Sequence, residues 1–158
     1  MGQKITPFLW FDNQAEEAAN FYVSVFKNSE ILEVSRYGES GPGEPGTALV
    51  VSFRLDGQEV RALNGGPEFS FTEAFSFQID CADQAEVDYF WAKLTQGGEP
   101  GPCGWLKDRY GLSWQVVPRR LMELLGDEDK ERANRVMQAM MRMGKIEVAK
   151  LEEAYAAT

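Results

Sequence analysis

Apolar positions along this chain follow two rhythms, one of period two and one of period 3.6. Lys4–Phe11 is an apolar, strand-like run. Ala15, Ala18, Ala19, Tyr22, Val23 and Phe26 then recur at helical spacing. Asn13 with Glu16 three residues on predicts a capping box at the start of that helix. Glu30–Tyr37 and Thr47–Leu55 read as strands. Asp56-Gly57 predicts a tight hairpin, Gln58–Asn64 its return strand, and Gly65-Gly66-Pro67 the stop.

The pattern then restarts. Phe75–Cys81 is strand-like, Asp83 and Glu86 form a second capping box, and a helix follows through Val87, Phe90, Trp91 and Leu94. Gly97-Gly98 ends it. Gly104–Lys107 and Leu112–Val117 are strands joined by a turn at Asp108–Gly111, and Pro118 closes the last. The trio Gln14-Ala15-Glu16 returns as Gln84-Ala85-Glu86, about seventy positions later. The shared order of elements predicts a duplicated β-α-β-β-β unit, each copy needing cover for its apolar face. The expected class is therefore α+β, with modules at about residues 4–66 and 73–118.

After Pro118 the rhythm is helical only. Arg119–Leu125 reads as a short helix. Asp127 is a plausible N-cap for a helix to Met143, and Ile146–Tyr155 continues after Gly144. The expected division is 1–118 for the paired modules and 119–158 for a helical extension. Met137, Met140 and Met141 form a stripe suited to core, subunit contact or a greasy binding surface. The segment 38–46 is rich in glycine and proline and carries Glu39 and Glu44. It lacks the strand-to-helix setting of a phosphate loop and reads as a mobile connection or a lid.

Composition narrows the chemistry. The chain has no histidine, so no imidazole base, no Ser-His or Cys-His pair, and no histidine-ligated metal is available within it. Lys and Arg number 16 against 25 Asp and Glu, a net charge of −9 that disfavours nucleic acid and anionic membranes as partners. No apolar run is long enough to span a bilayer. Met1–Ile5 has no signal-peptide character, so a cytoplasmic location is expected. Cys81 and Cys103, with no basic residue close to Cys81, point to free, inert thiols. Asp80 and Asp108 are carboxylates that would act as bases only if buried and otherwise serve a helix start and a turn.

Three segments carry a family likeness. The first is Ile5–Phe11 with Glu16–Tyr22, and the second is Ala62–Pro67. The third is Cys103–Asp108 leading into Gly111–Pro118. With the Met137–Lys145 run, they resemble the PhnB-like family, also labelled 3-demethylubiquinone-9 3-methyltransferase-like. It belongs to the glyoxalase/bleomycin-resistance/dioxygenase, or vicinal oxygen chelate, superfamily. The resemblance implies paired modules whose sheets curl around a concave face, often in a homodimer. In metal-dependent relatives, ligands lie on the first and last strand of each module. Aligned by distance, those corners fall near Pro7, Asn64, Ser76 and Gln115. None is a strong ligand, so the expectation is no metal. With Leu9, Phe11 and Trp105 they would instead line an apolar pocket with a few neutral hydrogen-bonding groups.

Three functions remain open at this point. One is a metal-free small-molecule-binding protein for an apolar or aromatic compound, needing no cofactor. A second is the enzyme that the family label names, using S-adenosylmethionine, although Phe11-Asp12-Asn13 enters its helix without the glycine-rich turn of Rossmann-type methyltransferases. A third is an interaction protein working through its helical tail.

Overall fold

The computed structural model describes residues 2–157. The chain forms two compact units, one ending at Phe71 and one beginning at Thr72.

In the first unit, β1 (Phe8–Phe11), α1 (Ala15–Val25), β2 (Glu30–Arg36), β3 (Ala48–Leu55) and β4 (Gln58–Asn64) follow one another. The sheet order is β1-β4-β3-β2, with β1 parallel to β4 and the other pairs antiparallel. The hairpin works because Asp56 and Gly57 both take positive φ, 48° and 84°, which matches the twist of β3 and β4. Helix α1 buries Ala15, Ala18, Ala19, Tyr22 and Val25. Its alanines allow close approach to the sheet, and the Tyr22 ring meets Phe53 at 6.4 Å.

The expected Asn13–Glu16 box does not form. Gln14 occupies the N-cap without a side-chain bond, and Ala15 N donates instead to Asn64 Oδ1 at 2.8 Å. Glu16 pairs with Arg36 at 3.0 Å. In the 38–46 segment, Gly41 and Gly43 lie against the Tyr37 ring, where Gly43 has no room for a Cβ.

The second unit repeats the plan with β5 (Ser76–Cys81), α2 (Gln84–Thr95), β6 (Glu99–Pro100), β7 (Trp105–Lys107) and β8 (Ser113–Pro118). Its order, β5-β8-β7-β6, is the same arrangement. Here the capping box forms: Glu86 N donates to Asp83 Oδ1 at 3.0 Å, and Glu86 Oε1 accepts from Ala82 N at 2.6 Å. The two-residue β6 escaped the sequence reading because Glu99-Pro100 has no apolar alternation. Proline is tolerated there because the strand is an edge.

Helices α3 (Arg119–Leu125), α4 (Lys130–Met140) and α5 (Val148–Ala156) pack within the second unit. Asp129, not Asp127, caps α4, accepting from Glu131 N and Arg132 N. Asp127 serves the preceding turn by accepting from Asp129 N at 2.8 Å. The helix expected to reach Met143 ends at Met140. Met143 and Ile146 instead drop into a core with Val117, Leu121, Leu124, Val136 and Leu151. Cys103 N and Gly104 N donate to the carbonyls of Met143 and Gly144, which ties the tail to the second sheet. Met122, Met137 and Met141 stay exposed. Among the described residues no helix is long and apolar enough to cross a membrane.

Candidate functional site

Side chains alternate across each sheet, so the register assigns every residue to the helix-covered face or to the open one. On the first sheet, Leu9 pairs with Ala62 and Phe11 with Asn64. Both Leu9 and Phe11 are 3% exposed, on the side that α1 covers. Phe11 also meets the Phe71 ring edge-on at 5.2 Å. The open positions are therefore Phe8 and Trp10, not Leu9 and Phe11. The alternation itself holds, but its sense was unreadable because both alternating sets are apolar.

Pro7 precedes β1, half-buried, and its carbonyl accepts from Arg61 N at 3.0 Å. Asn64 is committed to structure. Its Oδ1 caps α1, its Nδ2 donates to Ala48 O at 3.0 Å, and its backbone carbonyl accepts from Tyr37 Oη at 2.6 Å.

The second sheet gathers the other expected residues. Ser76 pairs with Ser113 and Gln78 with Gln115 on the parallel strands. Trp105 pairs with Gln115 and Lys107 with Ser113 on the antiparallel ones. Ser76, Gln78, Trp105, Lys107, Ser113 and Gln115 thus share one face. Phe77, Ile79, Trp114 and Val116 take the other. Gln115 Nε2 donates to Ser76 Oγ at 3.0 Å, so these two expected residues meet directly.

At the β6–β7 edge of this unit lies a cleft of about 190 Å³ lined by Trp105, Lys107, Ser113, Glu73, Glu99 and neighbouring prolines. Lys107 Nζ is 2.7 Å from Glu73 Oε1. That contact raises the Lys107 pKa above the ordinary lysine value and lowers that of Glu73. The ammonium is therefore held charged and is no nucleophile. Ser113 is 1% exposed, and its hydroxyl has no hydrogen-bond partner. Period-two alternation on the last strand places Ser113 on the face of Gln115, as the register shows; its unpartnered burial gives no sequence signal.

The candidate acids are already engaged. Asp80 pairs with Arg119 at 3.1 Å. Asp108 is 3% exposed and accepts from Tyr110 N, Leu112 N and Trp114 Nε1 at 2.9, 3.1 and 2.8 Å. Burial, reinforced by Glu86 and Asp80, pushes the Cys81 thiol up to about 12. Cys103 is partly exposed, its Sγ 3.9 Å from Met141 Sδ.

These donors do not fit the metal that the superfamily implies. The Asn64 amide is spent on backbone groups, and Ser76 and Gln115 bond each other. The open-face residues Phe8, Arg61 and Gln78 include no anionic ligand. Among the described residues no group of three or more His, Cys, Asp or Glu side chains is placed to hold an ion.

No curated protein matches the chain. A PhnB protein of Bacillus cereus, named for 3-demethylubiquinone-9 3-methyltransferase, is 42% identical with a TM-score of 0.67. The match covers 73% of this chain and 99% of that one. A Pseudomonas aeruginosa protein shares the fold at 17% identity and TM-score 0.62, covering 74% of this chain and 98% of its own. The fosfomycin resistance protein FosX of Listeria monocytogenes, crystallised with Mn(II) and sulfate, does so at 17% identity and TM-score 0.53, covering 79% and 96%. The chain thus shares its fold with both of these proteins. With the model for 3-demethylubiquinone-9 3-methyltransferase matching residues 3–117, the chain belongs to that PhnB-like family.

Proposed function

We propose that this chain is a metal-free small-molecule-binding protein that takes an apolar or aromatic compound on the open face of its second sheet. The observation that carries this reading is the register of Ser76, Gln115 and Trp105 on one face. There an amide–hydroxyl pair, bonded only side chain to side chain, sits beside an indole. The indole is the one aromatic surface on an otherwise polar face, and a ring stacked on it would lie within reach of that pair. The two free cysteines suit a reducing, cytoplasmic compartment. A homodimer would cover the exposed apolar side chains of the first unit, where Phe8 and Phe69 are 49% and 58% accessible.

The test is an amide-resonance titration of chelator-treated protein with single-ring compounds. Saturable shifts at Ser76, Trp105 and Gln115, weakened several-fold in Trp105→Ala, support the reading. Binding that appears only after a transition metal is added overturns it. A parallel titration with S-adenosylmethionine addresses the family's name: micromolar saturable binding would move the reading to an enzyme.

A further inference from the structure

The open face of the second sheet sorts its charged and neutral side chains into separate rows. One row runs across the strands as Ser76, Ser113, Lys107 and Glu99. Its charges are already matched. Glu99 faces Lys107 across the β6–β7 ladder, and Lys107 Nζ holds Glu73 Oε1 at 2.7 Å. Asp80, farther along β5, pairs with Arg119 at 3.1 Å. Ser113 is 1% exposed and offers nothing to a ligand. The next row reads Gln78, Gln115, Trp105 and Gly101: two carboxamides, an indole and a position without a side chain. It carries no charge.

That neutral row has hydrogen-bonding capacity left over. Gln115 gives one Nε2 hydrogen to Ser76 Oγ at 3.0 Å. Among the described residues, Gln115 Oε1, the second Gln115 N–H, the Gln78 carboxamide and Trp105 Nε1 make no hydrogen bond. A primary carboxamide sets a donor beside an acceptor on one edge, the arrangement with which glutamine reads adenine bidentately. Its complement is a ring edge that also sets a donor beside an acceptor. Adjacent strands lie about 4.8 Å apart. A ring on the Trp105 indole therefore brings its edge to Gln115, the cross-strand partner of Trp105. On the other side, Gly101 has no side chain with which to cover the indole. With every counter-charge on this face engaged, a carboxylate or an ammonium would give up hydration for neutral partners only, whereas a neutral ring would not.

We infer that this face binds a neutral, planar heteroaromatic ring with a cyclic amide on its edge, of the 2-pyridone type. The ring stacks on Trp105, and its amide edge pairs with Gln115, which Ser76 holds in place. This rests on the reading of the open face as a small-molecule surface and adds the ligand class.

The probes are 2-pyridone, N-methyl-2-pyridone, benzoate and benzylamine, titrated into the full chain and followed by backbone, carboxamide and indole N–H resonances. 2-Pyridone binds tightest and shifts the Gln115 carboxamide and the Trp105 indole. N-methyl-2-pyridone, which lacks the donor, binds about five-fold more weakly. Gln115→Leu makes the two pyridones equal, and Trp105→Ala weakens both alike. Ser76 is only half-buried and can turn to water, so Gln115→Leu keeps its fold, which an unchanged spectrum away from the sheet verifies. The comparison of the two pyridones in the wild-type chain stands without any variant. Equal affinity for them there overturns the inference and spares the open-face reading, as does preferred binding of benzoate or benzylamine at the same residues. No shift on this face with any probe overturns both.

Discussion

Replacing Asp108 by alanine should destabilise the β7–β8 turn at the centre of the second unit's sheet. Its carboxylate accepts from Tyr110 N, Leu112 N and Trp114 Nε1, and Leu112 and Trp114 are 0% and 1% exposed. Leaving a buried donor unpaired costs about 1–3 kcal/mol, and the half-buried Tyr110 amide adds about 0.5–1.5 kcal/mol. The expected loss is roughly 2.5–7.5 kcal/mol, a large share of the ~5–15 kcal/mol that holds a typical domain together. Asp108→Asn keeps an oxygen for the two backbone amides but turns an NH2 towards the Trp114 indole N–H. It should lose about 1–3 kcal/mol. Combining it with Trp114→Phe removes the stranded donor, so the pair should show a coupling energy of about 0.5–3 kcal/mol. Urea unfolding, with hydrogen exchange at β8 amides to localise the effect, measures all three variants. An Asp108→Ala protein within 1 kcal/mol of wild type, with β8 exchange unchanged, would refute the assignment of Asp108 as a structural anchor.

Asn64→Ala strands the amide of Ala15 and the carbonyl of Ala48, both buried, and should cost about 2–4 kcal/mol in urea unfolding. Asn64→Asp keeps the acceptor at the α1 N-terminus and should lose less; equal losses would count against the cap. Cys81, with its pKa raised from 9.0 to about 12, stays protonated in the fold while the unfolded chain ionises. Stability is then fully present below pH 9 and falls between pH 9 and 12, by up to about 1.4 kcal/mol per pH unit. Cys81→Ala should flatten that fall, and a disulfide-exchange reagent at pH 8 should label Cys103 alone in the native protein.

Local chemistry made much of the fold legible. The Asp56-Gly57 hairpin, the Asp83–Glu86 box, the stop at Gly97-Gly98 and the recurring trio all act over a few residues. What stayed hidden acts at a distance or by degeneracy. The α1 cap comes from a residue 49 positions away. At α4, three successive acids, Asp127, Glu128 and Asp129, offer equivalent caps, and only the turn geometry selects the third. On β1, Phe8, Leu9, Trp10 and Phe11 are all apolar, so period two gives two sets but not which one is covered. Among the expected site residues, Ser76, Trp105 and Gln115 share a face because β5 and β8 carry polar residues on one side only. Alternation puts Ser113 on that face too, but its unpaired hydroxyl is a property of packing and has no local signal.

The repeat also fixes which positions correspond between the modules, and this bears on whether the corners fit a metal more strongly than distance counting does. Phe11 and Cys81 each end the first strand of a module, and each is buried on the helix side, about seventy positions apart. Carrying that shift through, Phe8 corresponds to Gln78. Phe8 pairs with Arg61 and Gln78 with Gln115. The equivalent open-face pairs are therefore a phenyl ring with a guanidinium in one module and two carboxamides in the other. Pro7 and Asn64 are not the counterparts of Ser76 and Gln115 at all. The first pair offers no lone pair suited to a cation, and the Arg61 guanidinium already holds the Glu59 carboxylate at 2.9 Å. The second offers neutral oxygens without a carboxylate, which hold hard ions poorly. The helix-covered faces of the two modules remain alike in character while their open faces have diverged. The two open faces accordingly differ in chemistry, a ring beside an ion pair on one sheet and neutral hydrogen-bonding groups on the other.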